Sequence, residues 1–157
     1  MKRIFIDTEF TDSFDLHLVS IGLVSSAGEE FYAEVPFPDA SCSAFVREAV
    51  IPLLGRIPDA VMSKDSLCQQ LLAWLSTVRL VNSDIEICFD YQTDWDLFID
   101  AIDYHVPVWC RPCLIASNIN EVVKYEFYKK HALPQHHALY DARANLAAFQ
   151  ESDDGRL

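Results

Sequence analysis

The sequence predicts an α/β fold: a mixed central sheet flanked by helices. Three observations predict it. Strand-like segments come first, with two apolar stretches at 2–6 and 16–24 and a return at 30–35. Helical spacing of apolar residues begins only after residue 43. From residue 84 onward, extended and helical segments alternate.

Residues 2–6 form a short apolar strand that ends at Asp7. Residues 16–24 are almost continuously apolar, as a strand buried on both faces is. Ser25-Ser26-Ala27-Gly28 is a turn, so 30–35 returns antiparallel and completes a meander. Residues 44–54 carry helical spacing through Phe45, Val46, Val50 and Leu54, with Pro52 ending or bending the helix. Ser63 is placed to cap a helix reaching Val78, whose apolar stripe is Leu67, Leu71, Trp74 and Leu75. A fourth strand is expected at 84–89, a helix at 94–104 and an extended segment at 106–115. Asn118 and Glu121 match a capping box opening a helix to Lys130. The last helix covers 138–150.

A chain of 157 residues fits one domain, expected over 1–150, with a polar tail at 151–157 that frays. No apolar run approaches the ~20 residues of a membrane span. The N-terminus meets Asp7 too early for a signal peptide, so a soluble cytoplasmic protein is expected. Five cysteines, an odd number, read as reduced thiols rather than a disulfide framework. The net charge of −12 argues against a protein that coats nucleic acid. It leaves room for metal-dependent chemistry on phosphates, where cations supply the local positive charge.

Three segments concentrate acids. In Phe5-Ile6-Asp7-Thr8-Glu9-Phe10, Asp7 and Glu9 stand two apart on a strand and share a face. Two carboxylates that close repel unless protons or cations neutralise them, and hard oxygen ligands suit Mg²⁺ or Mn²⁺. Taken alone, such a pair is equally an exposed turn. In Asp90-Tyr91-Gln92-Thr93-Asp94, Asp94 opens a helix and is either a cap or an acid aimed at the same sheet end. Asp90 and Asp96 compete for that role, although Asp96 falls where the helix faces solvent. In His136-His137-Ala138-Leu139-Tyr140-Asp141-Ala142, Asp141 sits in a first helical turn, where the dipole alone would favour it. His136 lies five residues earlier in the preceding loop. His17, His105 and His131 read as surface residues.

As a set, these segments resemble the DEDDh exonucleases of the ribonuclease H-like superfamily. Asp7 and Glu9, Asp94, and His136 five before Asp141 carry the resemblance, and Ser20-Ile21-Gly22 resembles the second strand. The opening Asp-Thr-Glu-Phe, Leu-Val-Ser-Ile-Gly and the late Asp-Ala-Arg are most similar to small RNase T-like and RNase AS-like exoribonucleases, from residue 3 to about 150. One departure stands out: many relatives have Asn four before the second-motif aspartate, and this chain has Asp90. Leu97 and Phe98 follow Asp94 as apolar residues do in the family, which favours Asp94.

The resemblance implies a 3′–5′ exoribonuclease acting on single-stranded RNA, or alternatively on single-stranded DNA, and releasing nucleoside 5′-monophosphates. It implies two Mg²⁺ ions, for which Mn²⁺ substitutes, held by Asp7, Glu9, Asp94 and Asp141, with His136 taking a proton from the attacking water. RNase T-like relatives are dimers, which implies a homodimer. Phe10 and Thr8 are candidate substrate contacts, Phe10 as a stacking platform or else as core.

A rival signal is Trp109-Cys110-Arg111-Pro112-Cys113, whose Cys110 and Cys113 resemble a thiol–disulfide oxidoreductase motif. Its position speaks against that chemistry, because such a motif follows an early strand and opens a helix, whereas this one continues as an extended segment.

Overall fold

The computed structural model describes residues 1–152. The expected tail therefore lies mostly outside the described residues. Its first two members are tied down: Arg3 Nη1 donates to Glu151 Oε1 at 2.5 Å, and Asn118 Nδ2 donates to Ser152 Oγ at 2.7 Å.

Five strands form one mixed sheet: β1 (Lys2–Phe10), β2 (Leu18–Ser25), β3 (Glu30–Glu34), β4 (Ile85–Phe89) and β5 (Cys110–Leu114), in the order β3-β2-β1-β4-β5. The expected meander is present, because β2 lies antiparallel to both β1 and β3. β4 and β5 then add in parallel on the other side of β1. β2 is buried along its whole length, as its unbroken apolar run requires.

Side chains alternate across the sheet and feed two cores. Ile4 and Ile6 of β1 join Ile85 and Ile87 under α2 (Lys64–Val78) and α3 (Gln92–Ala101). Phe5 points the other way, into a cluster with Val24, Cys88 and Ala142 of α5 (Ala138–Ala148). Each of the Ile, Val and Phe side chains among these contributes about 1.5–3 kcal/mol by leaving water. Between the meander and α2 stands the short α1 (Ala44–Ala49), followed by a 3-10 turn at Ile51–Leu53 that holds Pro52. The proline ends the helix, as expected. Ser63 caps α2 by accepting from Ser66 N at 3.1 Å.

Two expected helix starts move. α4 (Glu121–His131) is capped by Asn120, which accepts from the Val122 and Val123 amides at 3.1 and 3.2 Å. Asn118, the expected cap, belongs to the preceding 3-10 turn, and its amide nitrogen donates to Gln150 O at 3.0 Å. α3 begins two residues early, with Tyr91 at its N-cap, so Asp94 sits inside the first turn.

The topology opens a crevice where the chemistry is expected. β1 and β4 run parallel and pair only as far as Phe5 with Cys88. β1 continues alone on that side, carrying Asp7 and Glu9 past the end of the pairing, while β4 releases the chain at Asp90. In open α/β sheets, ligands bind at such carboxyl ends.

Gly22 sets how closely α5 approaches. It pairs with Asp7 across the β1–β2 ladder. A Cβ there would lie 2.4 Å from Leu139 N and 2.5 Å from Ala138 C, both main-chain atoms in the first turn of α5. Gly22→Ala should therefore lower stability by about 1–3 kcal/mol, the usual cost of overpacking. It should also reduce activity per folded molecule, because the turn it displaces carries Asp141. A thermal melt alongside an activity measurement checks both.

Candidate active site

Asp7, Glu9, Asp94, Asp141 and His136 converge on one cavity of about 300 Å³. Thr8, Phe10, Asp90, Lys124 and Tyr128 also line it. Carboxylate oxygens of Asp7, Asp90 and Asp94 come within 4.8 Å of one another, as do ligand atoms of Glu9, His136 and Asp141.

Each acid is held differently. Asp94 is 3% exposed, and its Oδ1 accepts from Thr8 N at 3.1 Å and from Thr8 Oγ1 at 2.6 Å. Thr8, a candidate substrate contact, lines the cavity, and its hydroxyl donates to Asp94 across the end of β1. Asp141 accepts from Tyr128 Oη at 2.6 Å and from the His136 amide at 3.1 Å. The second bond is possible because His136 adopts a left-handed backbone, φ 68°, which turns its amide toward the helix that follows. The His136 ring meets the Phe45 ring edge-on, with centroids 4.9 Å apart. Asp7 Oδ2 is buried with no hydrogen-bond partner among the described residues.

Burial, then crowding by Asp141, Asp94 and the other acids, holds Asp7 well above the usual carboxylate range. Burial, followed by Asp141 and Asp94, pushes Glu9 up to about 8. Burial raises Asp94 to about 7 even though Thr8 hydrogen-bonds its charged form. Burial also raises Asp141, against the opposing pull of Tyr128 and His136. This is a site that stays protonated at neutral pH or takes up cations. An orphaned carboxylate oxygen among all-oxygen acids fits a hard divalent cation, which Asp7, Glu9, Asp94 and Asp141 could hold.

A pH dependence follows. Glu9 and Asp94 have folded pKa values raised above their ordinary 4.5 and 3.8. Their stabilising contribution is therefore complete below those values and is lost as pH rises through about 8 for Glu9 and about 7 for Asp94. In EDTA the melting temperature should fall across that window. Saturating Mg²⁺ should flatten the fall by binding the ionised folded form.

Sequence reasoning placed Asp96 on the solvent face, and it is exposed, accepting only from Gln92 at 3.0 Å. Phe10 is half-buried, packs on the larger core and lines the cavity as well. His137 points away from the cavity and into the fold. It is 2% exposed, stacked between Tyr32 and Tyr140 at centroid distances of 4.7 and 3.8 Å, and absent from the cavity wall. Burial, then Arg56 and Arg143, lowers its pKa to about 4.

Four contributors were missed: Phe45, Tyr128, Lys124 and Asn145. Phe45 entered the sequence reading only through its helical spacing; it is 55% exposed and faces His136. Lys124 and Asn145 hold Asp90, donating at 3.2 Å to Oδ2 and Oδ1 respectively.

The cysteine motif takes no part. Cys110 packs in one core and Cys113 in the other, so the two thiols lie on opposite faces of the sheet. Burial pushes Cys110 up to about 12, away from the thiolate that exchange needs. This geometry removes the oxidoreductase alternative.

Three solved structures share the architecture. The nuclease domain of 3′hExo, a DEDDh family member bound to rAMP, matches at TM-score 0.59 and 13% identity, over 95% of this chain and 94% of its own. Cell-death related nuclease 4 matches at 0.53 and 13%, over 92% of this chain and 61% of its own. A full-length 3′-exonuclease matches at 0.52 and 12%, over 94% and 80%. The fold is ribonuclease H-like. No family model and no curated protein matches the chain. Among the described residues, no helix is long and apolar enough to cross a membrane.

Proposed function

We propose that the protein is a metal-dependent 3′–5′ exoribonuclease of the DEDDh type, most similar to the small RNase T-like enzymes. The observation that carries this reading is the convergence of Asp7, Glu9, Asp94, Asp141 and His136 on one cavity, with a carboxylate oxygen of Asp7 left without a partner.

In this reading the four acids would hold two Mg²⁺ ions, or Mn²⁺, which would supply Lewis acidity and charge neutralisation at the scissile phosphate. Thr8 fixes Asp94, and Tyr128 and the His136 amide fix Asp141, so the carboxylates meet the cations already oriented. His136 accepts a proton from the attacking water as its oxygen bonds to phosphorus. The 3′ oxygen of the penultimate nucleotide leaves, and a nucleoside 5′-monophosphate is released. Phe10, at the cavity wall, offers a ring for the terminal base, and such stacking is worth about 1–3 kcal/mol. RNA is the favoured substrate because the resemblance is to exoribonucleases and because the 3′hExo nuclease domain holds a ribonucleotide.

Calorimetric titration with Mg²⁺ or Mn²⁺ should give saturable binding at millimolar metal or below. No heat of binding there would remove the metal reading. Matched single-stranded RNA and DNA oligomers then separate the substrates, with RNA degraded faster. Faster loss of the DNA would transfer the proposal to deoxyribonuclease activity.

A further inference from the structure

Asp90 stands where many members of the resembling family have a neutral asparagine, and it brings a fifth carboxylate to the cavity wall. It is 14% exposed at the side chain, and the carboxylates of Asp7 and Asp94 lie close by. A bare charge there would deepen the repulsion among the acids. Both its oxygens are engaged. Lys124 Nζ donates to Oδ2 at 3.2 Å from α4, and Asn145 Nδ2 donates to Oδ1 at 3.2 Å from α5. Asn145 is fully buried, one helical turn beyond Asp141, so Asp90 is held from two directions. Lys124 is 19% exposed, and it is the only lysine or arginine among the described residues lining the cavity.

We infer that Lys124 and Asp90 act as one neutral unit in the cavity wall, in which the lysine keeps Asp90 out of the metal-holding set and fixes the charge that the cations meet. Lys124 is thus a positioning residue, and the inference rests on the metal-dependent reading of the site. The charges are consistent with it: five carboxylates are balanced by two divalent cations and one ammonium. Asp94, by contrast, accepts from Thr8 and has no cationic partner among the described residues, so nothing but the cations is placed to offset its charge.

Mn²⁺ titration calorimetry on full-length wild type, Lys124→Met, Asp90→Asn and the double variant tests this, with folding checked by thermal melts. Lys124→Met should tighten Mn²⁺ by about tenfold, the effect of one unmasked charge in a half-buried site. Its metal-free melting temperature should fall. Asp90→Asn should weaken binding by roughly threefold, the lone ammonium now opposing the cations. The double variant should return to the wild-type affinity, and Lys124→Arg should hold it throughout. Loss of fold cannot shift affinity in opposite directions and then restore it. If Lys124→Met does not fold, Lys124→Gln takes its place. Weaker binding in the neutralised lysine variant, or a double variant as weak as Asp94→Asn, would overturn the inference, the latter by making Asp90 a ligand. Absence of binding in the wild type would instead overturn the metal reading itself.

Discussion

His136→Ala should lower turnover by about 10²–10⁴-fold, the usual contribution of a positioned general base. Metal affinity and melting temperature should stay near those of the wild type. The histidine ring leans on Phe45, and what steadies Asp141 is the main-chain amide of residue 136, which alanine retains. Alanine in the left-handed backbone there costs some stability, and His136→Asn, which tolerates that conformation better, serves as the control. His137→Ala should show the reverse pattern. Its ring fills the slot between Tyr32 and Tyr140, so truncation should lower the melting temperature while turnover per folded molecule persists. Full activity in His136→Ala with collapse of catalysis in folded His137→Ala would move the base to position 137.

Asp94→Asn should reduce turnover at least about 10²-fold and weaken metal binding, because it strips one charge from the set that meets the cations. The fold should survive. The amide oxygen of asparagine can still accept both hydrogen bonds that Asp94 Oδ1 receives from Thr8. Asp90→Asn should retain most of its turnover, since that carboxylate already spends both oxygens on Lys124 and Asn145. Measuring kcat and metal affinity for the two variants side by side decides between them. The opposite ranking would show that the second acidic segment has been read out of register.

The strands that build the site were legible because each has a one-dimensional signature. The continuous apolar run of β2 and the Asp-x-Glu spacing on β1 depend on period-2 geometry, which sequence displays directly. Helix starts were less legible. Asn118-x-x-Glu121 satisfies a capping pattern, but Ile119 bridges to Phe149 and Asn118 is drawn to Gln150, so the turn begins two residues later at Asn120. The place of Phe45 beside the site was not legible because α1 has six residues, too few for a periodic stripe to show which side faces the core. The long-range polar pairs could not be read at all. Lys124 and Asp90 are 34 residues apart, and Asn145 and Asp90 are 55 apart. The α4–α5 packing that joins them leaves no local pattern. The five-residue spacing to Asp141 already favoured His136 over His137; what sequence did not show is that the entry to α5 turns one ring toward the cavity and the other into the aromatic stack.

The most direct test of the central claim uses one single-stranded RNA oligomer labelled at its 3′ end in one sample and at its 5′ end in another, each incubated with the protein and Mg²⁺ or with EDTA. With Mg²⁺, the 3′ label should leave at once as a nucleoside 5′-monophosphate, while the 5′-labelled strand shortens one nucleotide at a time. EDTA should abolish both. Internal fragments at early times, a 3′-phosphate product, or equal cleavage in EDTA would contradict the account.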